Sequence, residues 1–402
     1  MGFIPTVLLV ATMDTKHVEV GYLVECLGDV GIEVMLMDVG ILRDSPIPVS
    51  VGRERVAEAA GCRLEDIGRS GLEGEALDVM STGAIRCAQE LFREKRIQGI
   101  LSLGGSMGTD IGTRVMRAFP VGFPKVMIST LASHDTRPFV KTKDIVMIPA
   151  VCDLSGLNRI TERILTNAAL AIAGMVKFAR SYTDALRPLV LVTTLGTIEP
   201  CAIQVKKALE RKGREVVIFH TTGTGGQAME ETIEREEVES LIDLSLQEIV
   251  AHLLGGEYDA GPSRGLAALE AGIPTVLVPG TFDFVVSGPL SMARKHFPNR
   301  HYHIHNAAIT CVRTTHEDLV MLAKKIAGLC TSASAKTAIA VPLKGFSGFD
   351  QPGGPLYDPE GPRIFSEILK QELPANIDLS LLPYHIIDAQ FAAALVRLTE
   401  GF

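Results

Sequence analysis

Residues 7–40 and 189–222 align without a gap at a constant offset of 182. "VLLVATMDTKHVEVGYLVECLGDVGIEVMLMDVG" lies over "LVLVTTLGTIEPCAIQVKKALERKGREVVIFHTT". Identities fall at Val10/Val192, Thr12/Thr194, Thr15/Thr197, Leu27/Leu209, Gly31/Gly213 and Val34/Val216. Each copy reads as an apolar β-branched strand, a Thr-rich turn, a helix, a glycine and a second strand. That is a βαβ unit, with Gly31 and Gly213 at helix ends where a left-handed residue is wanted. A second echo, "FPKVMISTL" (123–131) and "IPTVLVPGT" (273–281), puts Gly-x-Pro before a buried strand in both halves. A chain that carries this unit twice is constrained to two α/β domains of similar topology. They are expected to be Rossmann-like and doubly wound, with mostly parallel sheets covered on both faces. A length of 402 residues with 47% hydrophobic content suits two cores rather than one. The domains are set at 1–184 and 185–402, with the boundary in "YTDALRP" (182–188), after an apolar helix from about Asn158 to Arg180.

In doubly wound sheets ligands bind beyond the carboxyl ends of the strands, and polar residues gather there. The first domain offers Asp14, Thr15 and Lys16; Gly104, Gly105, Ser106, Gly108, Thr109 and Asp110; then Thr130 and Asp135. "GGSMGTD" (104–110) brings backbone amides and a helix start to one point, a geometry suited to phosphate oxygens. It is neither a Walker motif nor G-x-G-x-x-G. "HTTGTGGQAMEE" (220–231) is a second glycine-rich loop, with Thr222, Gly223, Thr224, Gly225 and Gly226 before a helix. Asp14, Asp135 and Asp153 are the candidates for holding Mg²⁺ or acting as a base. "HYHIHN" sets His301, His303 and His305 on one strand face. No carboxylate stands in register, and the segment is read as a polar strand face rather than a metal site. "LKGFSGFDQPGGPLYDPEGPR" (343–363) is a long loop of functional character.

A net charge of −8 without basic runs argues against nucleic acid and against anionic membrane as partners. The seven cysteines are scattered, with no C-x-x-C pair, and read as reduced thiols. The N-terminal apolar run is too short for a membrane span and lacks a basic segment before it. Together these place the expected location in the cytoplasm.

Four long segments, "LGGSMGTDIGTRVMRAFPVGFPKVMISTLAS", "VCDLSGLNRITERILTNAALAIAGM", "FHTTGTGGQAMEE" and "HNAAITCVRTTHEDL", resemble the Tm-one-like ATP-binding proteins, over essentially the whole chain. The resemblance implies two Rossmann-like domains, a homodimer and ATP binding. It also implies a TIM-barrel partner protein and a role in small-molecule metabolism. Gly104, Gly105, Ser106, Gly108 and Thr109 match the family's glycine loop, with Met107 where glycine is commoner. Asp153, Gly156, Leu157, Asn158 and Arg159 match its D-x-x-G-L-N-R segment, and Thr222, Gly223 and Gly226 its second loop. Of "HYHIHN" only His305-Asn306 fits.

The expectation is therefore an ATP-binding enzyme acting on a small-molecule substrate, as a phosphotransferase, ligase or hydrolase. Its nucleotide phosphates would lie on glycine-rich loops in a cleft between the domains. The alternative is a non-catalytic nucleotide-dependent regulator of a partner enzyme.

Overall fold

A computed structural model describes residues 4–67, 73–179 and 187–401. The chain divides into two compact units, Met1–Tyr182 and Thr183–Phe402. The linker residues 182–186, where the sequence puts the boundary, lie outside the described residues.

The first unit holds five parallel strands: β1 (Thr6–Ala11), β2 (Glu33–Asp38), β3 (Gly99–Gly104), β4 (Lys125–Ser129) and β5 (Val146–Pro149). Their order in the sheet is β2-β1-β3-β4-β5. Strand β1 shows why the sheet is buried on both faces. Val7 and Leu9 join one core, while Leu8 and Val10 join the other. Helices Met13–Asp29 and Thr161–Lys177 cover the first face, and Glu73–Arg93 and Ser106–Arg117 the second. The chain crosses sides of the sheet between β1 and β3, which creates a crevice at their carboxyl ends.

The second unit repeats the scheme and extends it. β6 (Leu189–Thr194), β7 (Glu215–His220), β8 (Val238–Ser245) and β9 (Thr275–Gly280) take the places of β1 to β4. Between β9 and the next parallel strand lies a small antiparallel sheet of β10 (Phe284–Ser287), β11 (Tyr302–Ile304) and β12 (Thr310–Arg313). β13 (Thr337–Pro342) and β14 (Asp378–Leu382) complete the main sheet, in the order β14-β13-β9-β8-β6-β7. The sequence repeat thus carries β2 onto β7 without a shift. Gly31 and Gly213 sit at φ +67° and +84°, and Gly122 and Gly272, before the fourth strands, at +86° and +71°. The inserted sheet is not part of either repeat; its strand β11 falls in "HYHIHN", the segment whose histidines the sequence sets on one strand face.

Two helix starts are set by local chemistry. The helix after β6 begins at Glu199, preceded by a turn over Gly196–Ile198, because Pro200 is tolerated only in a first turn. The helix expected from Asn158 begins at Thr161. The Asn158 side-chain oxygen accepts the amides of Ile160 (2.9 Å) and Thr161 (3.1 Å), so this residue caps the helix instead of joining it.

Candidate functional site

At the end of β3 three glycines perform two different tasks. A Cβ on Gly104 would lie 2.7 Å from the Gly108 Cα, and one on Gly108 3.2 Å from the Leu103 carbonyl. These two residues let the strand end and the first helical turn pass almost in contact. Gly105 is under no such pressure. Its φ is −78° and ψ −153°, open to any residue, and the nearest atom to a Cβ there is Thr130 Oγ1 at 3.9 Å. What glycine gives at 105 is bareness. No side chain caps the helix Ser106–Arg117, and the amides of Ser106, Met107 and Gly108 have no hydrogen-bond partner among the described residues. Unpaired amides at a helix start form an anion site by dipole and by donor count.

These amides border a cavity of about 420 Å³. Thr12, Asp14, Thr15 and Lys16, from the turn after β1, supply its polar lining. Val39, Ile41, Leu42, Ala76, Leu77, Met80 and Ile111 supply apolar lining. The polar lining is marked in the sequence by the turns after β1 and β3; the apolar lining is not. Its signal was available in the apolar periodicity of Glu73–Arg93, which delivers Met80 to the core and Leu77 to the cavity.

Other residues singled out from the sequence take distinct places. Thr109 is a correction. It is fully buried, and its hydroxyl is spent on Ser129 Oγ (2.6 Å) at the end of β4, so it ties strand to helix and is not offered to a ligand. Asp110 pairs with Arg114 at 2.9 Å and does not line the cavity. Asp14 does line it, though buried. Its Oδ2 accepts the Leu42 amide (3.0 Å), and its backbone carbonyl accepts from Arg43. The carboxylate lies against Gly40, where a Cβ would come within 2.7 Å. Asp38, just beneath, accepts the amides of Met13 and Gly40, and burial pushes its carboxyl upward in pKa despite those bonds.

Asp135 is brought to neither cavity of the first unit. Arg137 grips its exposed carboxylate through two side-chain nitrogens and holds its pKa below the usual range. Asp153, with Thr130, Ser133 and Cys152, lines a separate hollow of about 490 Å³. Val151 lies in its wall at φ +64°, with the Cys152 amide bonded to the Ala150 carbonyl at 2.7 Å. This tight turn is strained for a β-branched residue, and such strain gathers at functional places. Lys16 reaches the Leu154 carbonyl, which ties the first cavity's wall to the segment that follows Asp153.

The second glycine-rich loop is the larger correction. It follows β7, the second strand of its domain, whereas Gly104–Asp110 follows a third strand, so the two are not structural counterparts. Two of its amides are also taken. Glu248, fully buried, accepts the Gly223 amide (2.8 Å) and the Gly226 amide (2.9 Å) on one oxygen. Its other oxygen takes Arg264 Nε at 2.7 Å. Arg264 in turn bonds both oxygens of Asp243 at 2.7 and 2.8 Å. Burial raises the Glu248 pKa against the pull of Arg264. Burial also opposes the Arg264 charge, but Asp243 and Glu248 outweigh it and raise its pKa. A Cβ on Gly225 would meet the His220 carbonyl at 1.7 Å, and one on Gly226 the Glu248 carboxylate at 1.8 Å. These glycines serve packing around an internal carboxylate. The Gly223 and Gly226 amides are therefore spent within the fold. The Thr222 hydroxyl makes only a marginal 3.5 Å contact with the His220 carbonyl, and Thr224 begins the following helix.

The histidines at 303 and 305 do share a strand face, both rings lying against Phe349 at 4.5 and 6.5 Å. Among the described residues no group of three His, Cys, Asp or Glu stands close enough to hold a metal. No helix among them is long and apolar enough to cross a membrane.

Residues 5–181 match the N-terminal domain of an uncharacterised protein family, UPF0261, and residues 187–401 match its C-terminal domain. A UPF0261 protein from Clostridium tetani is 36% identical over 97% of both chains. The ToMV resistance protein Tm-1(GCR237) of Solanum lycopersicum is 36% identical over 81% of this chain, a stretch that spans 44% of the tomato protein. Among solved structures, a putative UDP-N-acetylglucosamine 2-epimerase from Listeria monocytogenes aligns with 94% of this chain and 99% of its own. Its identity of 10% and TM-score of 0.23 are too low to bear on fold or function.

Proposed function

Since the chain belongs to the UPF0261 family through both of its domains, we propose that its first domain binds ATP and acts as an enzyme of small-molecule metabolism. One observation supports this above the rest. Unpaired amides at 106–108, behind a residue whose glycine the fold does not require, open onto a cavity with a broad apolar wall. Phosphates suit the amides and Lys16, and a nucleobase suits Val39, Leu42, Leu77 and Met80. A volume of about 420 Å³ is within the range of small-ligand sites.

Bound ATP would supply a phosphoryl or adenylyl group for transfer. Magnesium is normally held by one or two carboxylates together with substrate phosphates. Asp14, the one carboxylate in the cavity lining, is the residue that fits that task. Fixed amide dipoles stabilise developing charge without reorganising, which is the largest contribution this site offers. The hollow lined by Thr130, Ser133 and Asp153 begins beside Gly105 and suits the second substrate. Asp153 keeps one oxygen for the Leu154 amide (2.9 Å), which orients the other as a proton acceptor.

A regulator that binds nucleotide without turnover is favoured by one fact, the commitment of Asp14 and Asp135 to partners within the chain. Calorimetric titration of ATP into the wild type and Gly105→Val tests the common part. The expected result is at least about tenfold weaker binding at unchanged thermal stability, and equal affinity would move the site elsewhere. Phosphate release with ATP and candidate hydroxy or carboxylic acids then separates enzyme from regulator.

A further inference from the structure

The cavity of the first domain has a counterpart in the second. The repeat offset carries Thr15 onto Thr197 and Asp38 onto His220, and both of the latter line a cavity of about 440 Å³ at the carboxyl ends of β6 and β7. Three of its other walls come from parts absent in the first domain. Phe284 belongs to the inserted sheet, His305 directly follows its strand β11, and Phe349 is from the long loop after β13. The Gly348 amide bonds the Thr197 carbonyl at 3.0 Å, which fixes Phe349 in the wall. The Phe349 ring stands 5.8 Å from Phe284. None of the eleven lining residues is Asp, Glu, Lys or Arg.

Several polar side chains in this cavity are unspent. Thr197 Oγ1 is buried without a partner. The side chains of His220 and Tyr258 have no hydrogen-bond partner among the described residues. A buried hydroxyl without a partner is unfavourable unless something else completes it. In the nearby loop Glu248 already takes the Gly223 and Gly226 amides. We propose that this cavity is a second small-molecule site, taking an uncharged aromatic or heteroaromatic ring compound that carries a hydroxyl or ring N–H. The ring would lie among Phe284, Phe349 and His305, where offset and edge-on contacts are favourable. Its polar edge would meet Thr197, His220 and Tyr258. Cys311, in the same wall, has its thiol pushed up to about 12 by burial; it packs against the ligand and is no nucleophile.

The test titrates 4-methylphenol and indole into the full chain, followed by calorimetry and by the ring shifts of the bound probe. Saturable binding is expected for at least one probe. Thr197→Val, which keeps the shape, should weaken it about fivefold, the worth of one buried hydrogen bond, and Thr197→Ser should restore it. Phe349→Ala should weaken it further, and Gly105→Val should leave it intact. Failure of both probes to saturate overturns the proposal. So does binding that survives Thr197→Val and Phe349→Ala, or binding that Gly105→Val removes, since the ring would then occupy the first domain. Because the ATP titration uses other residues, either site can fail without the other.

Discussion

In the first domain the amides of Ser106, Met107 and Gly108 stand free beside a cavity. In the second, the amides of Gly223 and Gly226 are held by Glu248 at 2.8 and 2.9 Å. Both stretches look alike as sequence, glycine and hydroxyl residues between a strand and a helix. What separates them is whether the protein supplies its own anion. A loop filled from within is part of a core and resists change, whereas a loop left open keeps its donors available. The difference extends to the groups below. The second domain buries Asp243, Glu248 and Arg264 completely, and such a network stabilises only while every member is present.

The contrast breaks most visibly at Arg264. Arg264→Met should cost the second domain about 3–5 kcal/mol, the usual result of stranding buried charges. Urea unfolding read by hydrogen exchange of peptides from each domain would show it, with ATP binding by the first domain unchanged. A neutral outcome would mean that Glu248 does not depend on the arginine.

Paired glycine substitutions sharpen the same point. Gly225→Ala forces a Cβ to within 1.7 Å of the His220 carbonyl and should destabilise by about 1–3 kcal/mol. Gly105→Ala meets nothing closer than 3.9 Å and should shift stability by no more than about 0.5 kcal/mol. Its effect should appear in nucleotide affinity. If Gly105→Ala unfolds the domain, glycine there is structural after all.

The domains also differ in their response to pH. Asp283 is fully buried beside Asp350, with one oxygen on Ser347 Oγ (2.7 Å) and the other without a partner. Burial, and then the Asp350 charge, raise its pKa to about 7. A carboxyl raised in the folded state favours folding while protonated. That contribution is whole below about pH 4, the unfolded value, and is lost as pH rises through about 7. Asp283→Asn should flatten the fall in second-domain stability between pH 4 and 7, measured by urea midpoints, and leave the first domain's profile as it was.

Much of the fold was legible because a βαβ repeat is periodic and local. Gly31 and Gly213 mark equivalent helix ends by their own backbone needs, and "TVLLVA", β-branched and apolar throughout, fits a strand buried on both faces. The inserted β10-β12-β11 sheet was legible only at "HYHIHN", since "FVVS" and "TCVR" are too short to show alternation. At the site, the free amides of 106–108 were legible from "GGSMGTD". The burial of Thr109 was not, because its partner Ser129 lies twenty residues on, across a neighbouring strand. The filling of the second loop depends on Glu248, which lies in "LSLQEIVAHLL". A carboxylate in so apolar a run is the one signal that pointed to a buried partner. Arg264, its counter-charge, sits in a loop whose "GPSRG" gives no hint of burial.

The most direct measurement is amide hydrogen exchange, residue by residue by NMR, with and without saturating ATP and magnesium. The expected result is slowed exchange at Ser106, Met107 and Gly108, with Gly223 and Gly226 already slow and unchanged. Protection that appears at 223–226 while 106–108 exchange as before would contradict the account.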